Sequence, residues 1–370
     1  MKEYFLLFLL LITGILIFSP PAWGGEIDSE SEQIAPLEST LKNLNLSVFD
    51  EYKKNIDEEI SSSMKGKTVK ELLLDFSQGQ LDLKIQDIMG GILQLFFKEV
   101  RANSGLMAKL LILSVLTALL VNLQNSFSSG VAQISYLSCY LALGAIALGS
   151  FRLVLEIGHQ SINNMVAFMM GMLPQMLVLT AGLGNINASA MLFPILMTTA
   201  TAFANAINNV VFPLIIMSAI LSLLNHMSIS LKVEKLASFF GQMARVSLGF
   251  CLTIFVGFIT LRALYASVLD KVALRTTKFV TDNAIPVVGK ILSDTIEVTA
   301  GYVVMLKQAL GFFGVLIIIG IIALPLIKVA AVALIYKITA AVVEPVGDAK
   351  TAAILDIMSA HIFLMLAALA

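Results

Sequence analysis

The sequence predicts an all-α, polytopic membrane protein with about seven to nine spans, and two observations carry this prediction. Hydrophobic residues make up 58% of the chain, charged residues only 13%, and the mean hydropathy is +0.90. A soluble domain is typically about half apolar and about a quarter charged. The apolar residues also form several runs of the roughly 20 residues that a helix needs to cross a bilayer.

The N-terminus predicts a secretory signal peptide over residues 1–24. Lys2 precedes an apolar run at 4–18, and small and helix-breaking residues follow at 19–24. An uncleaved anchor is the alternative, and both place the following segment outside the cytoplasm. Residues 25–106, in which acidic residues outnumber basic ones, are predicted to be a small helical extracytoplasmic domain, and residues 107–370 the polytopic membrane domain.

An amphipathic helix is predicted near the end of the acidic domain, from about Leu83 to Asn103. Its apolar residues recur at helical spacing, and Gly90-Gly91 weakens it. One interpretation is a helix packed within the extracytoplasmic domain. The other is a helix lying on the bilayer surface with Lys98 and Arg101 toward the headgroups, which the direct continuation into the first span favours.

The predicted spans are judged by length and apolarity. They cover 107–124, 133–151, 165–183, 190–208, 210–226, 245–265, 300–323, 325–343 and 352–370. Five prolines are the predicted helix breaks: Pro174, Pro213, Pro286, Pro325 and Pro345. The segment 266–299 carries too many charges to face lipid. Its part 275–299 would be the middle of the second copy of a possible repeat, where a loop or a buried hairpin that lines water is expected.

Several features recur at an offset of 112 residues, which suggests an internal repeat. Pro213 and Pro325 each begin Pro-Leu-Ile, and Cys139 and Cys251 have the same separation. Most other positions do not match, so chance is an equal competitor to duplication. Repeats of this kind are common in transporter folds.

The sequence offers little for catalysis. It contains three histidines and two cysteines without metal-ligand spacing, and it has no phosphate-binding glycine loop and no nucleophile elbow. Both cysteines lie in apolar runs, where a buried thiol is favoured over a disulfide. We therefore predict no enzymatic activity, no cofactor and no metal.

Charges inside or beside the apolar runs form the candidate polar site. A lysine near a span end can extend to the headgroups, which is favoured for Lys337, and the Glu344–Asp348 stretch is favoured as a capped turn between two spans. The functional alternative is a polar path through the membrane. Its predicted members are Glu344, Asp348, Lys328, Lys337, Arg262 and Lys307.

Two asparagines in the run at 190–226 are a further candidate. Asn205 and Asn208 are three residues apart and share a helix face. Hydrogen bonding to neighbouring spans is favoured over substrate binding.

Three short stretches, in order and spacing, resemble the stage III sporulation protein AE family. They are Met172-Leu173-Pro174 with Ala181-Gly182 and Pro194, Ile285-Pro286-Val287-Val288-Gly289 with Leu292-Ser293-Asp294, and Glu344-Pro345-Val346-Gly347-Asp348. The layout of signal peptide, acidic helical domain and polytopic region is similar too, over nearly the whole chain.

The resemblance implies a function in endospore formation. It implies a channel or secretion complex between mother cell and forespore, with this chain as a multi-pass protein of the mother-cell membrane around the forespore. The implied partners are other stage III sporulation A-group proteins, including a secretion-type ATPase and ring-forming subunits, and stage II sporulation protein Q from the forespore side. Membrane lipid is a further expected partner, and nucleic acid is not expected to be one. The resemblance carries over no catalytic residue. A stand-alone secondary transporter and a non-conducting scaffold subunit are the alternatives.

Overall fold

The computed structural model describes residues 85–126, 130–182, 186–227, 232–284, 289–346 and 349–370. The predicted signal peptide, most of the acidic domain, Pro286 and Asp348 lie outside these residues. Within them all elements are helical, which confirms the all-α class. The described α-helices are α1 (Ile85–Ala102), α2 (Ser104–Ser126), α3 (Gly130–Gly182), α4 (Ile186–Ala206), α5 (Phe212–Met227), α6 (Glu234–Ala284), α7 (Gly289–Val343) and α8 (Ala349–Leu369).

Fewer candidate spans are found among the described residues than the sequence predicts for the whole chain. Five stretches of the described helices are long and apolar enough to span: 138–178, 194–226, 234–258, 309–346 and 349–369. A sixth span is added if α1 and α2, bent by 46° at Asn103, count as one broken span. The described residues therefore hold five to six candidate spans, against the seven to nine expected for the whole chain.

The difference in span number arises because three pairs of predicted spans each form one continuous helical stretch. Residues 133–151 and 165–183 both belong to α3, and 300–323 and 325–343 both belong to α7. Pro174 and Pro325 lie inside these helices and do not end them. A proline removes one backbone hydrogen bond, but the turns on either side keep theirs, and a packed bundle tolerates the loss.

The third merger is made by a π-helical turn at Ile207–Val211, which joins α4 to α5. The backbone N–H of Phe212 donates to the carbonyl of Ile207, five residues earlier. Pro213 follows directly and has no N–H to donate, so the backbone hydrogen-bond ladder is also interrupted at the end of this turn. The hydrogen bond spans five residues instead of four, and the helix continues through this turn.

The long helices extend beyond the hydrocarbon layer. α3 and α7 contain 53 and 55 residues, and at 1.5 Å per residue each is about 80 Å long. The apolar layer of a bilayer is only about 30 Å thick. The described parts of the charged segment, 266–284 and 289–299, form the end of α6 and the start of α7, and we place them beyond the apolar layer.

The helix ends do not reproduce the proposed repeat offset. α3 and α6 begin 104 residues apart and end 102 residues apart, whereas the paired prolines are 112 apart. Pro213 follows a π turn, and Pro325 lies within a continuous α-helix. The two prolines therefore occupy different structural settings.

The core of the bundle is formed around the last helix. α8 packs against α7, α5 and α3, and 56% of its apolar stretch is buried, against 11% for the α6 stretch. Its buried residues include Leu355, Met358 and Ile362. They join Phe151, Phe212, Ile215 and Tyr336 in one hydrophobic cluster. A helix that is apolar all round is suited to such a central position.

Close helix contacts use small residues. The Gly158 position in α3 leaves only 3.0 Å between an added Cβ and the ring of fully buried Phe212 in α5. A Cβ added at Gly241 in α6 would lie only 2.8 Å from the Ser218 Oγ of α5. Larger side chains at these positions would push the helices apart, as is general for helix packing in membranes. Large apolar side chains such as Ile112, Val246 and Phe250 are exposed on the outside, where lipid would cover them.

Candidate functional site: polar contacts around the last helix

The polar side chains that the structure brings together lie around α8. On one side α8 faces α7, on another it faces α5, and α5 in turn contacts α6. A polar contact bridges each of these three interfaces. In an apolar environment such groups need partners, because an unpaired polar group is costly to bury.

The charged contact joins Lys337 of α7 to Asp356 of α8. The ammonium group of Lys337 donates to a carboxylate oxygen of Asp356. The two side chains are 45% and 50% exposed, so the pair lies on the flank of the bundle. Both residues fall inside apolar stretches, where an isolated charge would be expensive.

The α7–α8 hairpin explains why these two residues meet. The chain turns through a 3₁₀ helix at Glu344–Val346, so α7 and α8 run antiparallel. Lys337 and Asp356 are nearly equidistant from that turn along the chain. The Ser359 hydroxyl donates to the Ala333 carbonyl at 2.9 Å, and this pair is also nearly equidistant from the turn. Both contacts are therefore consistent with the same alignment of α7 against α8.

The other charged residues of the predicted polar site lie at separate places in the structure. Glu344 is exposed in the 3₁₀ turn with Pro345, and Lys328 is half-buried within α7. Lys328 lies three residues after Pro325, inside α7 and away from its ends. Arg262 and Lys307 belong to α6 and α7, but their side chains lie outside the described part of the structure, as does Asp348. A polar path through these residues stays a prediction.

The predicted asparagine pair is divided. Asn208 lies in the π turn, and its Nδ2 is 3.4 Å from the Asn163 Oδ1 of α3, a long contact. Its own Oδ1 is buried and has no hydrogen-bond partner among the described residues. Asn205 is exposed in α4. Only Asn208 therefore bridges two helices here.

Sequence reasoning missed Asp356, Ser218 and His361. His361 Nε2 lies 2.9 Å from the Ser218 Oγ of α5, and the same Oγ lies 2.8 Å from the Ala237 carbonyl oxygen of α6. Ser218 is buried. Asp356 and His361 could have been found as the ionisable groups in the last predicted span, which deserve the same attention as Lys337.

Metal and thiol chemistry have little support in this part of the chain. Within the described residues, no three His, Cys, Asp or Glu side chains are grouped so that they could hold a metal ion. Cys139 of α3 and Cys251 of α6 are free thiols, half-buried in their helices.

Comparison with known proteins gives two consistent matches. The family model of stage III sporulation protein AE matches residues 67–370, which includes every described helix. The stage III sporulation protein AE of Bacillus subtilis (strain 168) is 34% identical over 299 residues, or 80% of this chain and 75% of the relative. No solved structure matches the chain.

The Lys337–Asp356 pair generates a stability prediction. Lys337→Leu or Asp356→Leu leaves the other charge unpaired in the span and is expected to lower the free energy of unfolding by roughly 2–3 kcal/mol. The double variant Lys337→Leu/Asp356→Leu should lose less than either single variant, and the exchange Lys337→Asp/Asp356→Lys should recover most of the loss. The measurement is reversible unfolding of the full chain in mixed micelles.

Lys350→Ala, which removes an exposed lysine at the start of α8, is the control and should change the unfolding free energy by less than about 0.5 kcal/mol. Additive single and double variants would contradict the pairing, since independent sites show no coupling.

Proposed function

We propose a function from one premise: the chain belongs to the stage III sporulation protein AE family and has a role in sporulation as a helical membrane protein. The proposed function is that of a polytopic membrane component of the mother cell–forespore channel or secretion complex that endospore formation requires. The observation that carries the proposal is the family match, which extends over the whole described bundle. The chain would contribute no enzymatic activity of its own.

The proposed location is the mother-cell membrane around the forespore, with the N-terminal domain outside the cytoplasm. Three crossings precede Lys232 and Lys235 if the bent α1–α2 pair, α3 and the α4–α5 stretch each cross once. An odd number of crossings from an external N-terminus puts these lysines in the cytoplasm, in agreement with the positive-inside bias. The fourth and fifth crossings, α6 and α7, then put the Glu344–Val346 turn and Lys350 there as well.

The same topology places the charged extension of α6 and α7 outside the cytoplasm. This extension, residues 266–299, would project on the side that faces the forespore. That is where ring-forming subunits and stage II sporulation protein Q would be reached, whereas the secretion-type ATPase would work on the cytoplasmic side. Its dense mixture of acidic and basic residues suits contacts with soluble domains more than contacts with lipid.

A stand-alone secondary transporter is the second candidate. A π turn is a frequent companion of functional sites, and the one at Ile207–Val211 holds the buried, unpartnered Oδ1 of Asn208. Transport by the purified protein in liposomes would favour this candidate. A scaffold would be indicated if Lys337→Leu and Asp356→Leu chains that reach the membrane still support sporulation.

The proposed topology predicts which cysteines react from outside. Cys139 and Cys251 are first replaced by alanine, and single cysteines are introduced as Lys290→Cys or Lys232→Cys. In protoplasts of vegetative cells that express the chain, where its outer face is open to the medium, a membrane-impermeant maleimide should label Lys290→Cys directly and Lys232→Cys only after permeabilisation. The reverse pattern would contradict the orientation, and labelling of both in intact protoplasts would contradict the crossing by α6.

The proposed complex predicts a specific set of crosslinked partners. A functional tagged copy, crosslinked in sporulating cells and purified, should recover the secretion-type ATPase and the ring-forming A-group proteins. An unrelated multi-pass protein of the same membrane, tagged identically, controls for crowding. Recovery of the chain alone, in cells shown to contain those proteins, would overturn the complex and favour the stand-alone transporter.

A further inference from the structure

The contact between His361 and Ser218 contains more hydrogen-bond acceptors than a neutral imidazole can serve. His361 Nδ1 lies 2.8 Å from the carbonyl oxygen of Ile357, one turn earlier on α8. A carbonyl oxygen only accepts, so Nδ1 must carry a proton. In the neutral ring Nε2 is then bare and can only accept.

The Ser218 hydroxyl therefore faces two acceptors with one proton. Its Oγ is 2.9 Å from His361 Nε2 and 2.8 Å from the Ala237 carbonyl oxygen. While His361 is neutral, the hydroxyl can satisfy Nε2 or the carbonyl but not both. When Nε2 gains a proton it becomes a donor to Oγ, and the hydroxyl is released to Ala237. The charged ring alone satisfies all three contacts at once.

From this geometry we propose that Ser218 and His361 form a proton-binding site between α5, α6 and α8. Binding of the proton lets Nε2 donate to Oγ while the hydroxyl donates to the Ala237 carbonyl. The charged state therefore holds the α5–α8 and α5–α6 contacts together, whereas the neutral state holds one of them at a time. Gly241 of α6 has no side chain to separate the two helices, so the Ser218 Oγ stays within hydrogen-bond distance of the Ala237 carbonyl oxygen. The site is independent of the proposed function.

The other charged and titratable groups of the packed helices are engaged elsewhere or lie at the edge of the site. Arg245 of α6 is near enough to act electrostatically on His361 and opposes a second positive charge there. Lys337 of α7 is paired with Asp356 of α8. Further charged groups on these helices include Glu234 and Lys235, exposed at the start of α6, Lys328, half-buried in α7, and Lys350, exposed at the start of α8. Others include His226 of α5, whose Nδ1 contacts the Ser222 carbonyl, and three groups of α3: His159, which packs edge-on against Phe212, and Arg152 and Glu156, which are exposed. The Tyr140 hydroxyl of α3 donates to the His226 carbonyl, and Tyr336 is buried in α7.

The test is the ¹⁵N NMR spectrum of the histidine-labelled full chain in lipid bilayers as the pH is varied from 8 to 5. The chain has three histidines, and loss of a signal pair in His361→Gln assigns this one. The proposal expects the His361 nitrogens to pass from one bare and one protonated nitrogen to two protonated nitrogens in this range.

Ser218→Ala is the decisive variant. It removes the acceptor of the charge-assisted hydrogen bond, which is about twice as strong as its neutral counterpart. The midpoint should therefore move to lower pH by roughly 0.5–1 unit. The matched control is Ser359→Ala, which removes a buried serine of α8 whose hydroxyl bonds Ala333 and not His361, and it should leave the midpoint unchanged.

Two outcomes would overturn the proposal. One is a His361 that keeps a bare nitrogen throughout the pH range. The other is a titration whose midpoint is the same in Ser218→Ala as in the natural chain. Since the readout is the ring itself, neither outcome bears on whether the chain belongs to a sporulation complex.

Discussion

The arrangement of the bundle depends on how α8 is held at its centre. An apolar helix has no hydrophobic preference between lipid and other apolar helices, so close packing and polar contacts must position it. α8 has a polar contact to each of two neighbours: Asp356 to Lys337 of α7, and His361 to Ser218 of α5. Ser359 adds a hydrogen bond to α7, and Ser218 extends the connection to α6. α8 thus connects α5 and α7, and Ser218 of α5 connects α6 to them.

These contacts also explain why ionisable groups persist in apolar stretches. The position of Lys337 near the end of a predicted span favoured an extension of its ammonium group to the headgroups. The hairpin instead offers Asp356 from the facing helix at the same depth. A paired charge is far less costly in a membrane than an isolated one, so the pair can be retained as a register device or as part of a function.

Composition was sufficient to predict the helical membrane class, and periodicity was sufficient for α1, which runs from Ile85 to Ala102 against the predicted 83–103. Span boundaries failed where polar or proline residues were taken as breaks. Pro174, Pro325 and the Asn208–Pro213 region are all accommodated within helices, because the surrounding bundle stabilises turns that local propensity disfavours. The Lys337–Asp356 and Ser218–His361 contacts could not be predicted, because helical spacing shows which residues share a face of one helix. Each of these contacts joins two different helices.

The central claim is that α7 and α8 form an antiparallel hairpin in the register set by Lys337 and Asp356. The most direct test replaces Cys139 and Cys251 by alanine, introduces Lys337→Cys with Asp356→Cys, and adds a short bis-thiol crosslinker to native membranes. After cleavage at a protease site placed in the α7–α8 turn, the account predicts that the two parts stay joined, and that Lys337→Cys with Ala360→Cys, one turn out of register, joins poorly. Efficient crosslinking of the second pair, with little or none of the first, would contradict the hairpin register and the polar contacts derived from it.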